Sequence, residues 1–304
     1  MSLAKTMIIH GPGSPRYREE VVYSAGEQIA LSVWQAEPPT AASPVLVFVP
    51  GTMTHPLAYA AALDGLAARG ITVVGVHPTG HGNSPRDGRP IRLARIITNV
   101  RDAVEWAAAQ WDGPIVLNGS SQGGVVALLA AVDAHPRVRL VVPHNALLPE
   151  LPDTLSVTRI PRSLTGHYDW LRAGLRVVPR LLPRLAVPFG LYLDPRRVFS
   201  NRSEKHDFMS DPRNLQSYPL AMLSDLLSFD SAPITEGSIE IPVVVLASTG
   251  DPLFSLDYVS QVVEQIKAPS VELVTLELPM HLIYVGEPDV TADALAEIIT
   301  TKLG

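Results

Sequence analysis

The chain has 304 residues, and its hydrophobic content of 46% is ample for a large core. Its net charge of −6 argues against a nucleic-acid partner, and the absence of cysteine excludes disulfides, thiolate catalysis and cysteine-ligated metal sites. The first residues lack the charged-then-apolar order of a signal peptide, and no apolar run reaches the ~18 residues of a membrane-spanning helix. We therefore expect a cytoplasmic protein.

The first part of the chain alternates between predicted strands and predicted helices. Two β-rich stretches joined by Ser24-Ala25-Gly26-Glu27 predict a hairpin over residues 19–36. Residues 45–49 and 71–76 are continuous apolar runs, which are typical of strands buried on both faces of a sheet. Helices are predicted over residues 56–69 and 91–110.

The alternation stops near residue 148 and resumes after residue 233. Strands are predicted at residues 115–118, 138–143, 242–247 and 271–276, and helices at residues 125–133, 256–267 and 290–303. This order predicts an α/β protein with a mostly parallel sheet and helices on both faces. We expect one core domain made of residues 1–148 and 234–304, with a mainly helical cap of residues 149–233 inserted into it.

A candidate nucleophile follows the strand predicted at residues 115–118. The turn Gly119-Ser120-Ser121-Gln122-Gly123 reads G-x-S-x-G, the pattern of a strained strand-to-helix turn that projects a serine hydroxyl. The register selects Ser121, because only this serine has glycine two residues away on both sides. The helix predicted after it would place N–H groups near the hydroxyl and favour developing negative charge.

An acid and a base follow two later strands. A serine hydroxyl needs a base to remove its proton and a third group to orient that base. Asp251 follows the strand predicted at residues 242–247, and His281 follows the strand predicted at residues 271–276. Because ligands of such sheets bind at the carboxyl ends of strands, we expect Ser121, Asp251 and His281 to form a catalytic triad.

The oxyanion of the tetrahedral intermediate needs two N–H donors. One would be the backbone N–H of Gln122, directly after the nucleophile. The other would come from Pro50-Gly51-Thr52-Met53, the loop after the first buried strand. We favour the N–H of Thr52, with that of Met53 as the alternative.

Further residues at the same end of the sheet are candidates for substrate contact. Met53, His55 and His77 lie in loops after the first two buried strands, and His144 with Asn145 follows the strand predicted at residues 138–143. His81, within Gly80-His81-Gly82, we interpret as a structural histidine of its loop. The histidines show no metal-site spacing, and no phosphate-binding G-x-G-x-x-G follows a strand. We expect neither a metal nor a cofactor.

These motifs resemble those of a known family. Gly119-Ser120-Ser121-Gln122-Gly123-Gly124, Gly80-His81-Gly82-Asn83-Ser84, Gly250-Asp251-Pro252 and His281 stand in the order of α/β-hydrolases of the broad monoacylglycerol lipase, lysophospholipase and serine aminopeptidase type. The resemblance covers residues 19–148 and 235–303 and implies an α/β-hydrolase fold. Two positions depart from the family pattern. Pro50-Gly51 stands where His-Gly is common, and His77 stands where Asp is common.

The predicted cap is rich in arginine. Arg172, Arg176 and Arg180 would share one helical face, while Leu171, Leu175, Val178 and Leu182 would form an apolar one. One hypothesis is that this segment rests on anionic or lipidic interfaces and admits a lipophilic acyl group. The alternative is a solvated helix whose leucine side packs on the core, which Pro179 and Pro183 favour because they would break a long surface helix.

The combined observations predict a serine hydrolase of the carboxylesterase or lipase type, EC 3.1.1. Its expected substrate is a small lipophilic ester with an apolar acyl or alcohol part. The same triad also serves amide, lactone and carbon–carbon bond hydrolysis, which the motifs do not separate. A protein of another class, a ligand-binding protein without catalysis on a hydrolase scaffold, would be expected to have a broken triad.

Overall fold

An eight-stranded sheet forms the centre of the molecule. The computed structural model describes residues 10–38, 40, 42–161, 163, 167, 170, 173–174, 177 and 181–304. Its strands are β1 (Tyr17–Ser24), β2 (Glu27–Trp34), β3 (Val45–Val49), β4 (Thr72–Val76), β5 (Ile115–Ser120), β6 (Val138–His144), β9 (Val243–Ser248) and β10 (Val271–Leu276). They are arranged in the order β1-β2-β4-β3-β5-β6-β9-β10.

The predicted hairpin is present at one edge of this sheet. β1 pairs with β2 and β2 pairs with β4 in antiparallel fashion, whereas every pair from β4 to β10 is parallel. Ala25 and Gly26 connect β1 to β2 with φ angles of 50° and 78°. Positive φ at both central residues is the geometry that suits a tight turn between twisted strands.

Helices cover both faces of the sheet, as the alternating pattern predicts. On β3, Val47 packs into the apolar cluster of one face, while Leu46 and Phe48 pack into that of the other. One cluster contains residues of the helices α2 (Leu93–Gln110), α3 (Gln122–Ala130) and α9 (Leu256–Gln265). The other contains residues of the helices α1 (Ala60–Ala68) and α11 (Pro288–Leu303).

Several helix bounds differ from those predicted. α3 begins at Gln122, directly after the candidate nucleophile, because the strained turn is confined to one residue. α11 begins at Pro288, a residue whose fixed φ suits the first helical turn. The short helix α10, Ile283–Gly286, has no sequence signal and follows His281. A 3-10 turn, Pro56–Tyr59, precedes α1.

Between β6 and β9 the chain leaves the sheet and forms short pieces. Two short strands, β7 (Ala186–Pro188) and β8 (Ser217–Pro219), pair in antiparallel fashion. The frequent prolines keep the helices short, since proline breaks a helix interior. These helices are α4 (Phe189–Tyr192), α5 (Pro195–Val198), α6 (Arg202–Ser210), α7 (Leu220–Ser228) and α8 (Ala232–Thr235). A 3-10 turn spans Pro152–Val157.

The arginine-rich face of the cap lies largely outside the described residues. Arg172, Arg176 and Arg180, with Leu171, Leu175 and Val178, are outside them. Leu182 of the expected apolar face is 54% exposed. Arg197 of the cap binds the core instead of solvent, because its guanidinium donates to the carbonyl oxygens of Pro252 and Leu253. Within the described part of the chain, no helix is long and apolar enough to cross a membrane.

Candidate active site

Ser121 occupies a strained turn between β5 and α3. Its φ of 55° and ψ of −117° are unfavourable for a residue with a side chain, and such strain persists only where the surroundings enforce it. A Cβ on Gly119 would overlap the carbonyl oxygen of Gly123, and one on Gly123 would overlap that of Val49. The turn therefore requires glycine on both sides of Ser121.

Asp251 and His281 form a buried pair at the ends of β9 and β10. The Nδ1 of His281 lies 2.8 Å from the Oδ2 of Asp251, and both residues are more than nine-tenths buried. The other oxygen, Oδ1, accepts the backbone N–H groups of Leu253 at 2.7 Å and Phe254 at 3.0 Å. Asn145 donates from Nδ2 to Oδ2 at 3.0 Å. Four donors thus surround one carboxylate.

These donors keep Asp251 ionised although it is buried. Burial alone would raise the pKa of Asp251, but the charge and hydrogen bond of His281 and the N–H of Phe254 outweigh burial and lower it. An ionised carboxylate only accepts hydrogen bonds, so Nδ1 of His281 carries the proton. Its Nε2 is then the ring nitrogen left to act as the base, and the ring of Phe254 stacks on this imidazole with centroids 5.5 Å apart.

Two backbone N–H groups of the loop after β3 donate to tyrosine hydroxyls. Gly51 donates to the hydroxyl of Tyr59 at 3.1 Å, and Met53 donates to the hydroxyl of Tyr218 at 3.0 Å. Thr52 stands between these residues and lines the same cavity as Ser121. The N–H of Met53, the alternative first donor, is thus already bonded to Tyr218, and Thr52 stays the predicted donor. The second candidate, Gln122, is the first residue of α3, where helical N–H groups lack intrahelical partners.

The cavity above Ser121 joins the core to the cap. Its volume is about 260 Å³, and Ser121 and His281 both line it. The rings of Phe189, Phe199 and Phe208 pack together on one wall, with centroids 5.2 to 5.7 Å apart. The remaining wall is mixed. It carries the apolar side chains of Leu193, Val198, Leu282 and Val285 and the polar side chains of Thr54, Glu204, Asp207, Asp211 and Asn214.

A second, much smaller pocket shares part of its wall with this cavity. Its volume is about 10 Å³, roughly the room that one water molecule needs. Thr52, Ser121 and Leu193 line both spaces. The rest of the small pocket is mostly apolar and includes Leu147, Val157, Tyr192, Leu226, Leu253 and Phe254. Ser121 therefore borders both a larger cavity of mixed lining and a smaller, mostly apolar pocket.

The expected substrate-contact residues Met53, His55 and His144 are not among the residues that line these two cavities. Met53 is buried in the core, with φ at 62°. His55 is buried, and its Nε2 lies 3.1 Å from Asp211 Oδ2. His144 is buried behind His281, with ring centroids 5.8 Å apart.

The buried histidines near the site are neutral. Burial lowers the pKa of His55 and of His81 to about 4. Burial likewise lowers the pKa of His77 and of His144 to about 3. His77, where the family pattern commonly has Asp, has its Nε2 2.8 Å from the hydroxyl of Ser32. Their role in the fold is to accept or donate hydrogen bonds as uncharged rings.

Sequence reasoning missed the role of two residues at the site. Tyr218, from the cap strand β8, contacts the loop after β3, and no local pattern in Ser217-Tyr218-Pro219 indicates this. Asn145 was expected only on the pocket floor, yet it holds the Asp251 carboxylate. Its φ of 60° is an arrangement that asparagine tolerates better than most residues. Among the described residues, no group of three or more His, Asp or Glu is arranged to hold a metal ion.

A protein family and several solved structures are similar to this chain over most of its length. The family model described as serine aminopeptidase, S33, matches residues 40–289, which is most of the chain. A search of curated proteins finds no match. Among solved structures, a soluble variant of monoglyceride lipase from Saccharomyces cerevisiae is similar, with 12% identity, a TM-score of 0.71 and 100% coverage of both chains.

Two further solved structures are similar to a comparable degree. The monoacylglycerol lipase of Paleococcus ferrophilus has 18% identity and a TM-score of 0.67, covering 90% of this chain and 99% of that one. A carboxyl esterase of Bacillus coagulans has 14% identity and a TM-score of 0.71, covering 96% of this chain and 100% of that one. At identities this low, the structural similarity shows a shared α/β-hydrolase fold.

Proposed function

The chain belongs to the serine aminopeptidase S33 family of α/β-hydrolases, and we propose that it hydrolyses carboxylic esters through Ser121, His281 and Asp251. The observation that carries the proposal is the strained turn at Ser121 beside a cavity shared with the buried His281–Asp251 pair. A strained serine facing a base that is itself oriented by an acid is the arrangement that nucleophilic acyl transfer requires.

In the proposed first half-reaction, the hydroxyl oxygen of Ser121 attacks the ester carbonyl carbon while His281 Nε2 accepts the hydroxyl proton. Asp251 holds the Nδ1–H of His281 and stabilises the imidazolium that forms. The N–H groups of Thr52 and Gln122 donate to the tetrahedral oxyanion. His281 then returns the proton to the leaving alcohol, and the acyl group remains on Ser121.

The second half-reaction uses the same groups with water as the nucleophile. His281 removes a proton from water, which attacks the acyl carbon, and the collapse of the second tetrahedral intermediate releases the acid and restores the Ser121 hydroxyl. The mostly apolar walls of the two spaces beside Ser121 support an ester with an apolar acyl or alcohol part. No step requires a metal or cofactor.

A series of p-nitrophenyl esters of increasing acyl length, assayed with Ser121→Ala and Ser120→Ala, tests this proposal. Ser120 precedes the nucleophile, and its hydroxyl is 3.4 Å from His144 Nδ1, so it offers a matched control. We expect Ser121→Ala to lose turnover by a factor of roughly 10⁶ and Ser120→Ala to stay within about tenfold of wild type. Equal activity of Ser121→Ala and wild type on every ester would contradict the assignment.

A second candidate is hydrolysis of an amide substrate that carries a free, positively charged amino group. The carboxylates of Glu204 and Asp207 line the cavity and would attract a cation. The third carboxylate there, Asp211, is held by Arg213 at 2.7 Å, which leaves it less able to attract a further charge. Aminoacyl p-nitroanilides run beside the matched esters separate the two functions, because an ester hydrolase would show a much higher kcat/KM on the ester.

We also propose that the cap contacts lipid surfaces. Large apolar side chains are exposed there, with Trp170, Leu181 and Leu191 exposed by 82%, 78% and 70%. Exposed aromatic and leucine side chains beside basic residues are typical of peripheral lipid binding. Co-sedimentation with anionic phosphatidylglycerol vesicles and with neutral phosphatidylcholine vesicles at low and high salt tests this. Absence of salt-sensitive binding to the anionic vesicles would end the lipid proposal.

A further inference from the structure

One buried hydroxyl connects four segments of the chain beside the candidate oxyanion hole. Tyr218 lies in the middle of β8, and its side chain has no exposed surface. Its Oη is 3.0 Å from Met53 N, 3.2 Å from Gln122 Nε2 and 2.7 Å from His81 Nε2. The cap thus contacts the loop after β3, the loop after β4 and the residue that follows Ser121.

The direction of each hydrogen bond follows from His81. Its Nδ1 is 2.9 Å from the carbonyl oxygen of Thr79, which can only accept, so Nδ1 carries the ring proton. Burial lowers the pKa of His81 to about 4, so the ring is neutral near pH 7 and its Nε2 is an acceptor. Tyr218 therefore donates its O–H to His81. Its two lone pairs accept the N–H of Met53 and the side-chain N–H of Gln122.

This hydroxyl has its full complement of partners, one as donor and two as acceptor. A phenylalanine at position 218 would leave all three partner atoms without the oxygen. These atoms are buried, so water has little access to replace it, and a buried donor left unpaired is unfavourable. The three contacts are therefore made together or lost together.

The backbone of Met53 depends on the cap at both of its polar groups. Its N–H donates to Tyr218, and its carbonyl oxygen accepts the N–H of Leu215, also in the cap, at 2.8 Å. Met53 has φ at 62°, a left-handed conformation that is unfavourable for a residue with a side chain and persists where its neighbours hold it. Rotation of Met53 would turn the adjoining peptide group, and with it the direction of the Thr52 backbone.

We propose that Tyr218 is a positioning residue for the oxyanion hole. It holds the side chain of Gln122, one proposed donor residue, and the N–H of Met53, the neighbour of Thr52, the other proposed donor residue. The cap thereby sets the direction of these donors as well as covering the cavity. This inference rests on the proposed ester hydrolysis, since the oxyanion exists only in that reaction.

Tyr218→Phe tests the inference because it removes the oxygen and keeps the ring. A group that positions oxyanion donors acts on the transition state more than on the bound ester. We expect kcat on p-nitrophenyl butyrate to fall about 10- to 100-fold, less than the 10²–10³-fold seen when one oxyanion donor is removed, with KM within about threefold of wild type. A trifluoromethyl ketone, which forms a tetrahedral adduct with an active serine, should lose affinity by the same factor as kcat/KM.

Tyr258→Phe is the matched control. Tyr258 is buried, its hydroxyl lies 2.7 Å from Thr154 Oγ1 and 3.3 Å from Leu148 N, and neither of these two partners belongs to the loop after β3. The variant should lose a comparable amount of thermal stability and keep kcat and ketone affinity within about twofold, because the same chemical group is removed elsewhere. An equal loss of kcat in both variants would assign the effect of Tyr218 to stability and overturn the inference.

Gln122→Met provides a second variant in case Tyr218→Phe does not fold. It removes one of the three contacts from the other side and keeps a helix-forming residue at the start of α3. It should lower kcat by less than Tyr218→Phe does. If Tyr218→Phe folds and keeps the kcat and ketone affinity of wild type, the inference about Tyr218 is overturned and the proposed function stands. If Tyr218→Phe does not fold, the same result in Gln122→Met leads to the same conclusion. A wild-type protein without ester turnover or ketone binding would overturn the proposed function as well.

Discussion

The two sides of Ser121 are built by different parts of the molecule. On one side, Asp251 and His281 follow strands of the central sheet, and the groups that hold Asp251 all belong to the core. On the other side, the loop after β3 is held by Tyr218 and Leu215 from the cap. The acid–base pair therefore depends on the sheet, whereas the candidate oxyanion donors also depend on the cap.

This difference explains why one side could be recognised in the sequence and the other could not. Parallel strands end at a common edge of the sheet. The residues that follow them therefore lie near one another, whatever the conformation of the loops between the strands. A contact between the loop after β3 and β8 joins residues that are 165 positions apart, Met53 and Tyr218, and has no periodic pattern to reveal it. Each of the following predictions tests one side against the other.

The largest effect is expected on the sheet side, from Asp251→Asn. An amide in place of the carboxylate can no longer hold the Nδ1–H tautomer of His281 or stabilise its charged form. We expect kcat to fall by about 10⁴-fold with little change in KM, measured by steady-state ester hydrolysis. Asn145→Ala removes a neighbouring donor without changing the tautomer, and it should cost far less. A fall below tenfold for Asp251→Asn would show that another group orients His281.

Acid should destabilise the cap side more than the sheet side. Three of the four buried neutral histidines, His55, His77 and His81, lie around the loop after β3, and only His144 lies beside His281. Because the pKa of each is lowered in the folded state, the unfolded chain binds more protons once the pH falls below the ordinary value of about 6.5. Stability is therefore lost as the pH falls through this window.

The four histidines together should remove on the order of 3 kcal/mol from the free energy of unfolding between pH 7 and pH 6. Urea unfolding at these two pH values measures the change. His55→Gln should reduce it by about a quarter, since one of the four groups no longer titrates. A free energy of unfolding that does not change over this interval would contradict the neutral state of these rings.

Gly51→Ala should impair the oxyanion side without touching the acid–base pair. A Cβ at Gly51 would lie 2.9 Å from the Tyr59 hydroxyl and 3.3 Å from the Ser120 carbonyl oxygen, so the loop must shift. We expect kcat to fall about tenfold, because small displacements of aligned groups are costly in catalysis. The double variant Gly51→Ala/Tyr59→Phe, which removes the nearer atom, should be more active than Gly51→Ala. Equal activity would exclude the clash with Tyr59 as the cause.

The smallest effect is expected where the cap supports a core helix far from Ser121. Asp225 of α7 accepts the N–H of Leu93 at 3.1 Å, as a side chain at the N-terminus of a helix does, and also binds Arg92. Asp225→Ala should reduce the free energy of unfolding by about 1 kcal/mol and leave kcat unchanged. Arg92→Gln removes only the exposed ion pair and should cost less. A large loss of kcat in Asp225→Ala would show that the attachment of the cap as a whole, and not Tyr218, controls the site.

Much of the fold and part of the site could be predicted from residue patterns. The apolar runs of β3 and β4 indicate buried strands because both faces of such a sheet are covered. Gly119 and Gly123 select Ser121 because a larger residue at either position would clash with backbone. The short helix after His281 and the contacts of Tyr218 could not be predicted, since tertiary packing determines them.

Contact of His55 and His144 with substrate stays a prediction. It was made because both residues follow strands at the correct end of the sheet, and the structure buries both side chains fully. Position along a strand fixes which end of the sheet a residue lies at, but not whether its side chain faces the cavity or the core. Half of the residues that line the cavity come from the cap, whose short helices have weak periodicity.

Peptide mapping by tandem mass spectrometry after reaction with a fluorophosphonate tests the central claim most directly. The reagent reacts with a serine only where a base activates its hydroxyl and N–H donors stabilise the phosphonyl oxygen, so both sides of the site must be assembled. We predict one adduct on Ser121, present in wild type and Ser120→Ala, absent in Ser121→Ala, and formed more slowly in Tyr218→Phe. An adduct on another residue, or none on the folded wild-type protein, would contradict the account.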